Sequence, residues 1–157
     1  MRLNLFVFRP DDGPAFEVWA PQEMQQHEAP ENDGALVAEA DGGFAPNLVV
    51  GHNRVSGDMT LADLTVRLQN DASALPGAEV RPERTVTGVA GEVRVIAFTH
   101  PGRDGSGPLY QMTACLLAPS DGADERDLVY LTGTCTMDQA PRWDPAFVDA
   151  ASSVRFG

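Results

Sequence analysis

The chain has 157 residues, 43% of them apolar and 22% charged, with a net charge of −12. A polypeptide of that size and composition buries roughly 70% of its unfolded surface and reads as one folded domain, not as a disordered chain. Nine acids against Arg2 and Arg9 in residues 1–45 repel phosphate backbones and anionic headgroups, which disfavours nucleic acid and membrane adsorption and leaves a basic partner or plain solubility.

Leu3 to Phe8 has the pattern of a strand, and "DDGP" at 11–14 turns the chain into a second, Phe16 to Ala20, stopped by Pro21. The opening "MRLNLFVF" is too short for a signal-peptide core and lacks a cleavage site, and no cysteine lies nearby to accept a lipid. No apolar run reaches the ~18 residues that suggest a membrane helix. On these signals the expected location is cytoplasmic.

Gln22 to Gly34 is polar and acidic and reads as a loop with a short helical turn. Ala35–Ala40 and Pro46–Val55 are expected strands across an Asp-Gly-Gly turn. Thr60–Ala72 is the clearest helix: Thr60 and Asp63 make a capping-box-like start, and Leu61, Leu64 and Leu68 share a face. Val80–Val86 and Glu92–His100 follow as strands, the second apolar on both faces and therefore expected inside a sheet. Leu109–Ala118 and Leu128–Cys135 complete an antiparallel meander. A last helix is predicted from Asp144 as N-cap with Pro145 at its first position, docking through Phe147, Val148, Ala151 and Val154. The expected fold is α+β: an antiparallel sheet of about six or seven strands flanked by helices.

Candidate chemistry is sparse. "GRDGSG" at 102–107 has the glycines of a phosphate loop, but a strand follows it and the chain contains no Lys. The acids Asp121, Asp124, Glu125 and Asp127 lack calcium-loop spacing and read as a solvated hairpin tip. His27, His52 and His100 show no paired ligand spacing, so no metal is expected, and no motif implies a cofactor. Cys135 has no basic neighbour or helix N-terminus to activate it. In the hairpin, Cys115 is expected opposite Leu131. Cys135 is then about four residues further along, roughly 13 Å at strand rise, so two buried free thiols are expected.

His52, Asn53 and Arg54 stand side by side at the end of "GFAPNLVVGHNRV", either as a catalytic or ligand cluster or as the ordinary end of a buried strand. On a regular strand His52 points with Leu48 and Val50 while Asn53 points away, so the three converge only if Gly51 makes a bulge. Trp19 and Trp143 border the elements that open and close the sheet; each either anchors the core or rims a groove for an apolar ligand or peptide. Trp19, His52, Arg54 and Trp143 are therefore the candidate ligand- or partner-binding residues.

The order "FEVWAP", "GFAPNLVVGHNRV", helix, "TVTGVAGEVRVIAFTH", "LYQMTACLLA", "LVYLTGTCT" and "FVDAASSVRF" resembles the LpqN-type actinobacterial proteins. It is also similar to the wider group with the fold of photosystem PsbP and the Ran-binding Mog proteins, which includes DcrB and the EagR chaperones. The resemblance covers about Phe16 to Phe156 and implies a PsbP-like fold with a binding or chaperone role and no catalytic residues. It also implies a protein partner or an apolar or lipid ligand, linked to secretion or envelope export; the lipobox cysteine of the lipoprotein members is missing here. Two rival readings are a small hydrolase or metal-dependent enzyme using His52 with loop carboxylates, and a structural homodimer joined through an exposed sheet edge.

Overall fold

Strand and helix divide this chain where its hydrophobic period changes between two and about 3.6. The computed structural model describes residues 2–40, 43–102, 107–119 and 124–157. The middle of the expected Asp-Gly-Gly turn, of the 102–107 loop and of the acidic hairpin tip lies outside those residues.

In chain order the elements are β1 (Leu3–Phe8), β2 (Phe16–Pro21), β3 (Gln25–His27), β4 (Gly34–Val37), β5 (Asn47–Ser56), α1 (Leu61–Ser73), β6 (Glu79–Val80), β7 (Arg84–Gly88), β8 (Gly91–His100), β9 (Leu109–Leu117), β10 (Glu125–Thr136), α2 (Ala140–Ser152) and β11 (Arg155–Phe156). They build two antiparallel sheets. The large one runs β3-β4-β5-β10-β9-β8-β6, with β7 also paired to β8; the small one runs β1-β2-β11. The fold is α+β, as expected. The strand count exceeds six or seven because β3 and β6 are short, and because β1, β2 and β11 form a sheet of their own.

The two faces of the large sheet are covered differently. On one face α2 and the small sheet enclose the main core, in which Leu48, Val50, Val95, Met112 and Leu131 meet Phe8, Phe16, Val18, Trp143 and Phe147. On the other, α1 lays Leu61 and Leu64 against Cys115 and Leu128. Full burial of each large aliphatic or aromatic side chain contributes about 1.5–3 kcal/mol, so the α2 face carries most of the stability.

Local signals account for several boundaries. α1 begins as expected: the Thr60 hydroxyl accepts from the Asp63 N–H at 3.2 Å and the Asp63 carboxylate accepts from the Thr60 N–H at 3.3 Å. The expected strand at Val80–Val86 is split into β6 and β7 around Arg81, Pro82 and Glu83, since Pro82 has no N–H for the ladder. The polar stretch after Pro21 contains β3, which pairs with β4 through Gln25–Val37 and His27–Ala35.

Two expectations are corrected. Helix α2 begins at Ala140, not after Asp144, and Pro145 lies inside it. Its true start is set by Thr136 and Gln139: the Gln139 N–H donates to the Thr136 hydroxyl at 3.2 Å, and the Thr136 N–H donates to the Gln139 side chain at 2.8 Å. That freed Asp144 for a tertiary ion pair. The hairpin register differs by one residue from the expected one, with Cys115 opposite Tyr130 and Cys135 opposite Tyr110. Cys115 belongs to the α1 face and Cys135 to the α2 face, so the sheet itself separates the two buried free thiols.

Candidate functional site

β5 pairs with β10 one residue for one from Asn47–Thr134 to Ser56–Glu125, with no bulge at Gly51. Gly51 has another reason to be small: the Tyr130 ring lies across it, and a Cβ there would sit 2.3 Å from the Tyr130 hydroxyl oxygen. Without a bulge, His52 points toward the core face and Asn53 away from it, so the trio does not converge.

His52 stands instead at the end of the main core, between two carboxylates that come from earlier loops. Its Nδ1 donates to Asp33 Oδ2 at 2.7 Å and its Nε2 lies 3.1 Å from Asp12 Oδ1. Asp33 is placed by its own N–H, which donates to the Val50 carbonyl at 2.9 Å. The turn carrying Asp12 approaches so closely that a Cβ on Gly13 would meet the imidazole at 2.6 Å. Burial alone would lower the His52 pKa, but the hydrogen bond and charge of Asp33, with the charges of Asp12 and Asp127, outweigh it and raise it. An imidazole bonded at both nitrogens and nearly covered is a clasp between β5 and two loops. It has no free nitrogen to act as a general base.

Arg54 is the cross-strand neighbour of Asp127 and pairs with it at 3.6 Å and with Glu125 at 3.2 Å. Two acids of the expected solvated tip thus hold Arg54 at the surface, where such pairs contribute little, about 0–1 kcal/mol. Cys115 and Cys135 are each pushed up to about 12, by burial and, for Cys135, also by the charge of Asp144. Both stay protonated and are unsuited to nucleophilic work. Among the described residues no group of three His, Cys, Asp or Glu side chains is arranged to hold a metal ion. No described helix is long and apolar enough to cross a membrane.

The two tryptophans part company. Trp143 is 4% exposed, packed on Phe147 at 5.9 Å between ring centroids, with the Arg142 guanidinium over it. It is a core anchor whose edge reaches a polar cleft with Glu23, His27 and Glu39. Trp19 is 45% exposed on the outer face of β2. Its backbone is fixed by Ser153, whose hydroxyl accepts from the Trp19 N–H at 2.8 Å.

Around Trp19 lies a feature that sequence reasoning passed over. Leu3, Leu5 and Val7 alternate along β1 and are exposed by 49%, 41% and 37%. Leu5 is the register partner of Trp19, so all four side chains share one face. β1 is the edge of the small sheet. The Gln22 N–H donates to the Arg2 carbonyl at 2.9 Å, so Arg2, Asn4, Phe6 and Phe8 turn their backbone groups toward β2. Those of Leu3, Leu5 and Val7 point the other way, where, among the described residues, only the Val7 carbonyl accepts, from the Gln26 side chain at 3.2 Å. The signal was present in "LNLFVF": six residues without a charge, alternating, with none of the lysines, prolines or bulges that usually blunt an edge.

A second missed group surrounds Asp144. Arg84 makes two hydrogen bonds to its carboxylate, at 2.7 and 2.8 Å, and the Tyr110 hydroxyl donates to it as well. Burial opposes the charge on Asp144, but these hydrogen bonds and the charges of Arg84 and Arg81 prevail and lower its pKa.

No protein family and no curated protein matches the chain by sequence. Solved structures do. LpqN of Mycobacterium tuberculosis, described as involved in cell envelope biogenesis, superposes with a TM-score of 0.76 at 14% identity, over 99% of this chain and 92% of that one. The cyanobacterial PsbP (CyanoP) of Synechocystis gives 0.64 at 17% identity, over 99% and 92%. The Ran-binding protein Mog1p of Saccharomyces cerevisiae gives 0.53 at 13%, over 98% and 96%. The chain has the PsbP-like fold. At these identities the likeness concerns the fold, and the expected relation to LpqN, PsbP and the Mog proteins holds at that level.

Proposed function

We propose that this chain is a non-enzymatic binding module that takes an extended segment of a partner protein on the free edge and outer face of the β1–β2 hairpin. One observation carries the reading: Leu3, Leu5, Val7 and Trp19 stand exposed on one face of an uncharged edge strand. Adding a strand there satisfies the outward backbone groups of Leu3 and Leu5 and covers the apolar side chains, the two sources of affinity and specificity in strand addition. The tied His52 and the protonated thiols favour binding over hydrolysis. The fold neighbours support the same class of role, since one is described as Ran-binding and another as involved in envelope biogenesis.

The test is a photo-crosslinking side chain at position 3, on the same exposed face, in the native host, read by mass spectrometry. A defined protein adduct is expected, lost in Trp19→Glu and in Leu5→Pro. The proline removes only an outward N–H, so the β1–β2 ladder survives and folding is preserved. Adducts that are absent, or indifferent to both substitutions, sink the proposal. An adduct to a second copy, with doubled mass in light scattering, replaces it with the homodimer reading.

A further inference from the structure

We propose that the cleft between residues 81–84 and the first turns of α2 binds a small organic carboxylate with a compact apolar body, gripped by Arg81. This stands apart from the β1 edge and does not rest on it. The cleft has a volume of about 490 Å³, within the usual range of small-molecule sites. Pro82 makes it: by ending β6 it lets the chain swing away from β8, so that Ala97 of the core face becomes a wall. Met137, Ala140 and Pro141 form the apolar wall opposite.

The charged groups of the lining have unequal duties. Arg84 is held by Asp144, and Tyr110 is bonded to the same carboxylate. These three are occupied with one another and make the floor of the cleft. Arg81 is different. Its backbone N–H is anchored on the Ala97 carbonyl at 2.8 Å and its guanidinium lies over the Tyr110 ring, 5.7 Å from the centroid. It forms no ion pair among the described residues, although the chain carries 23 acids against 11 arginines. A guanidinium held over an aromatic face by its charge makes no hydrogen bond to it, so its N–H donors remain for a ligand, and their fork matches the two oxygens of a carboxylate.

The ligand class follows from the count of charges. Arg81 and Arg84 against Asp144 leave the lining one positive charge in a molecule of −12. One negative charge is balanced there, whereas a doubly charged phosphate is repelled by the surrounding field. The apolar walls take the hydrocarbon part and disfavour a ligand that is polar throughout.

The test is a titration of the intact chain followed by amide NMR, with hexanoate, hexanol and inorganic phosphate as probes. Hexanoate is expected to give saturable shifts at Ala97, Met137 and Ala140. Hexanol is expected to bind about tenfold or more weakly, since it lacks the charge-assisted pair. Phosphate should leave those amides in place. Arg81→Ala should weaken hexanoate about tenfold while the melting temperature falls by no more than a few degrees, because Arg81 is exposed and gives the fold only its contact with Tyr110 and its charge near Asp144. Trp19→Glu should leave hexanoate binding intact. Absence of saturable shifts, hexanol as strong as hexanoate, phosphate at the same amides, or an indifferent Arg81→Ala overturns the proposal.

Discussion

Gly133 on β10 lies against the ring of Phe147 on α2, and a Cβ added there would sit 2.4 Å from Cδ2. Phe147 is 1% exposed and cannot swing away without disturbing Trp143 and the small sheet. Gly133→Ala is therefore expected to destabilise the fold by about 1–3 kcal/mol through overpacking. For a chain of this length each kcal/mol lowers the melting temperature by about 2–4 °C. Adding Phe147→Leu should recover part of the loss, giving a favourable coupling in the double-mutant cycle. Strict additivity of the two substitutions would show that the helix is not seated there.

The cysteines give a direct check on the rejected nucleophile. With their pKa values pushed up to about 12, both thiols stay protonated at neutral pH, and both are buried. The native chain should resist alkylation by maleimide, and both residues should react once it is unfolded in denaturant. Rapid labelling of either in the folded protein, seen in an intact-mass time course, would contradict the buried placement.

What was legible beforehand depended on distance along the chain. The start of α1 and the leucine face of Leu61, Leu64 and Leu68 are written within thirteen residues, and the β9–β10 pairing needs only adjacent strands. The start of α2 is obscured in sequence because Asp144-Pro145 imitates a helix N-terminus, while the competing signal, Thr136 and Gln139, sits just before it. Asp144 is committed to Arg84, sixty residues earlier, and local patterns do not register such a partner. Strand alternation gives His52 its face of β5, yet its partners Asp12 and Asp33 arrive on separate loops. Trp19 and Trp143 looked alike in sequence. Only the packing of α2 on one side of the small sheet, with the other side open, tells the anchor from the exposed ring.

Asp144→Ala should be the most damaging change at the edge of the core. It leaves the hydroxyl of nearly buried Tyr110 without its acceptor, at a cost of about 1–3 kcal/mol. Arg84 adds less, since its side chain is 41% exposed and water replaces the lost carboxylate. The pH dependence has a definite sign. The folded state holds the Asp144 pKa below its ordinary 3.8, so its contribution is present above that value and is lost as pH falls through the lowered one. Acid unfolding of Asp144→Ala should accordingly be shallower than that of the parent when both are followed by circular dichroism. Equal slopes would remove Asp144 from the account.

His52 predicts the opposite slope on the alkaline side. Its folded pKa is raised above 6.5, with burial opposing the shift and Asp33, Asp12 and Asp127 producing it. Below 6.5 the imidazole is protonated folded or unfolded, and the clasp contributes in full. As pH rises through the raised value the ring loses its charge and the contribution disappears. Most of it comes from Asp33, whose side chain is 11% exposed; Asp12, at 88%, is screened by water. Melting temperatures taken from about pH 6 to about pH 9 should decline in the parent and stay nearly level in His52→Gln. Asp33→Asn should flatten the profile almost as much, and Asp12→Asn much less. A parent profile that rises over this range, or three variants with the parent's slope, would show that His52 carries no charge between its two carboxylates.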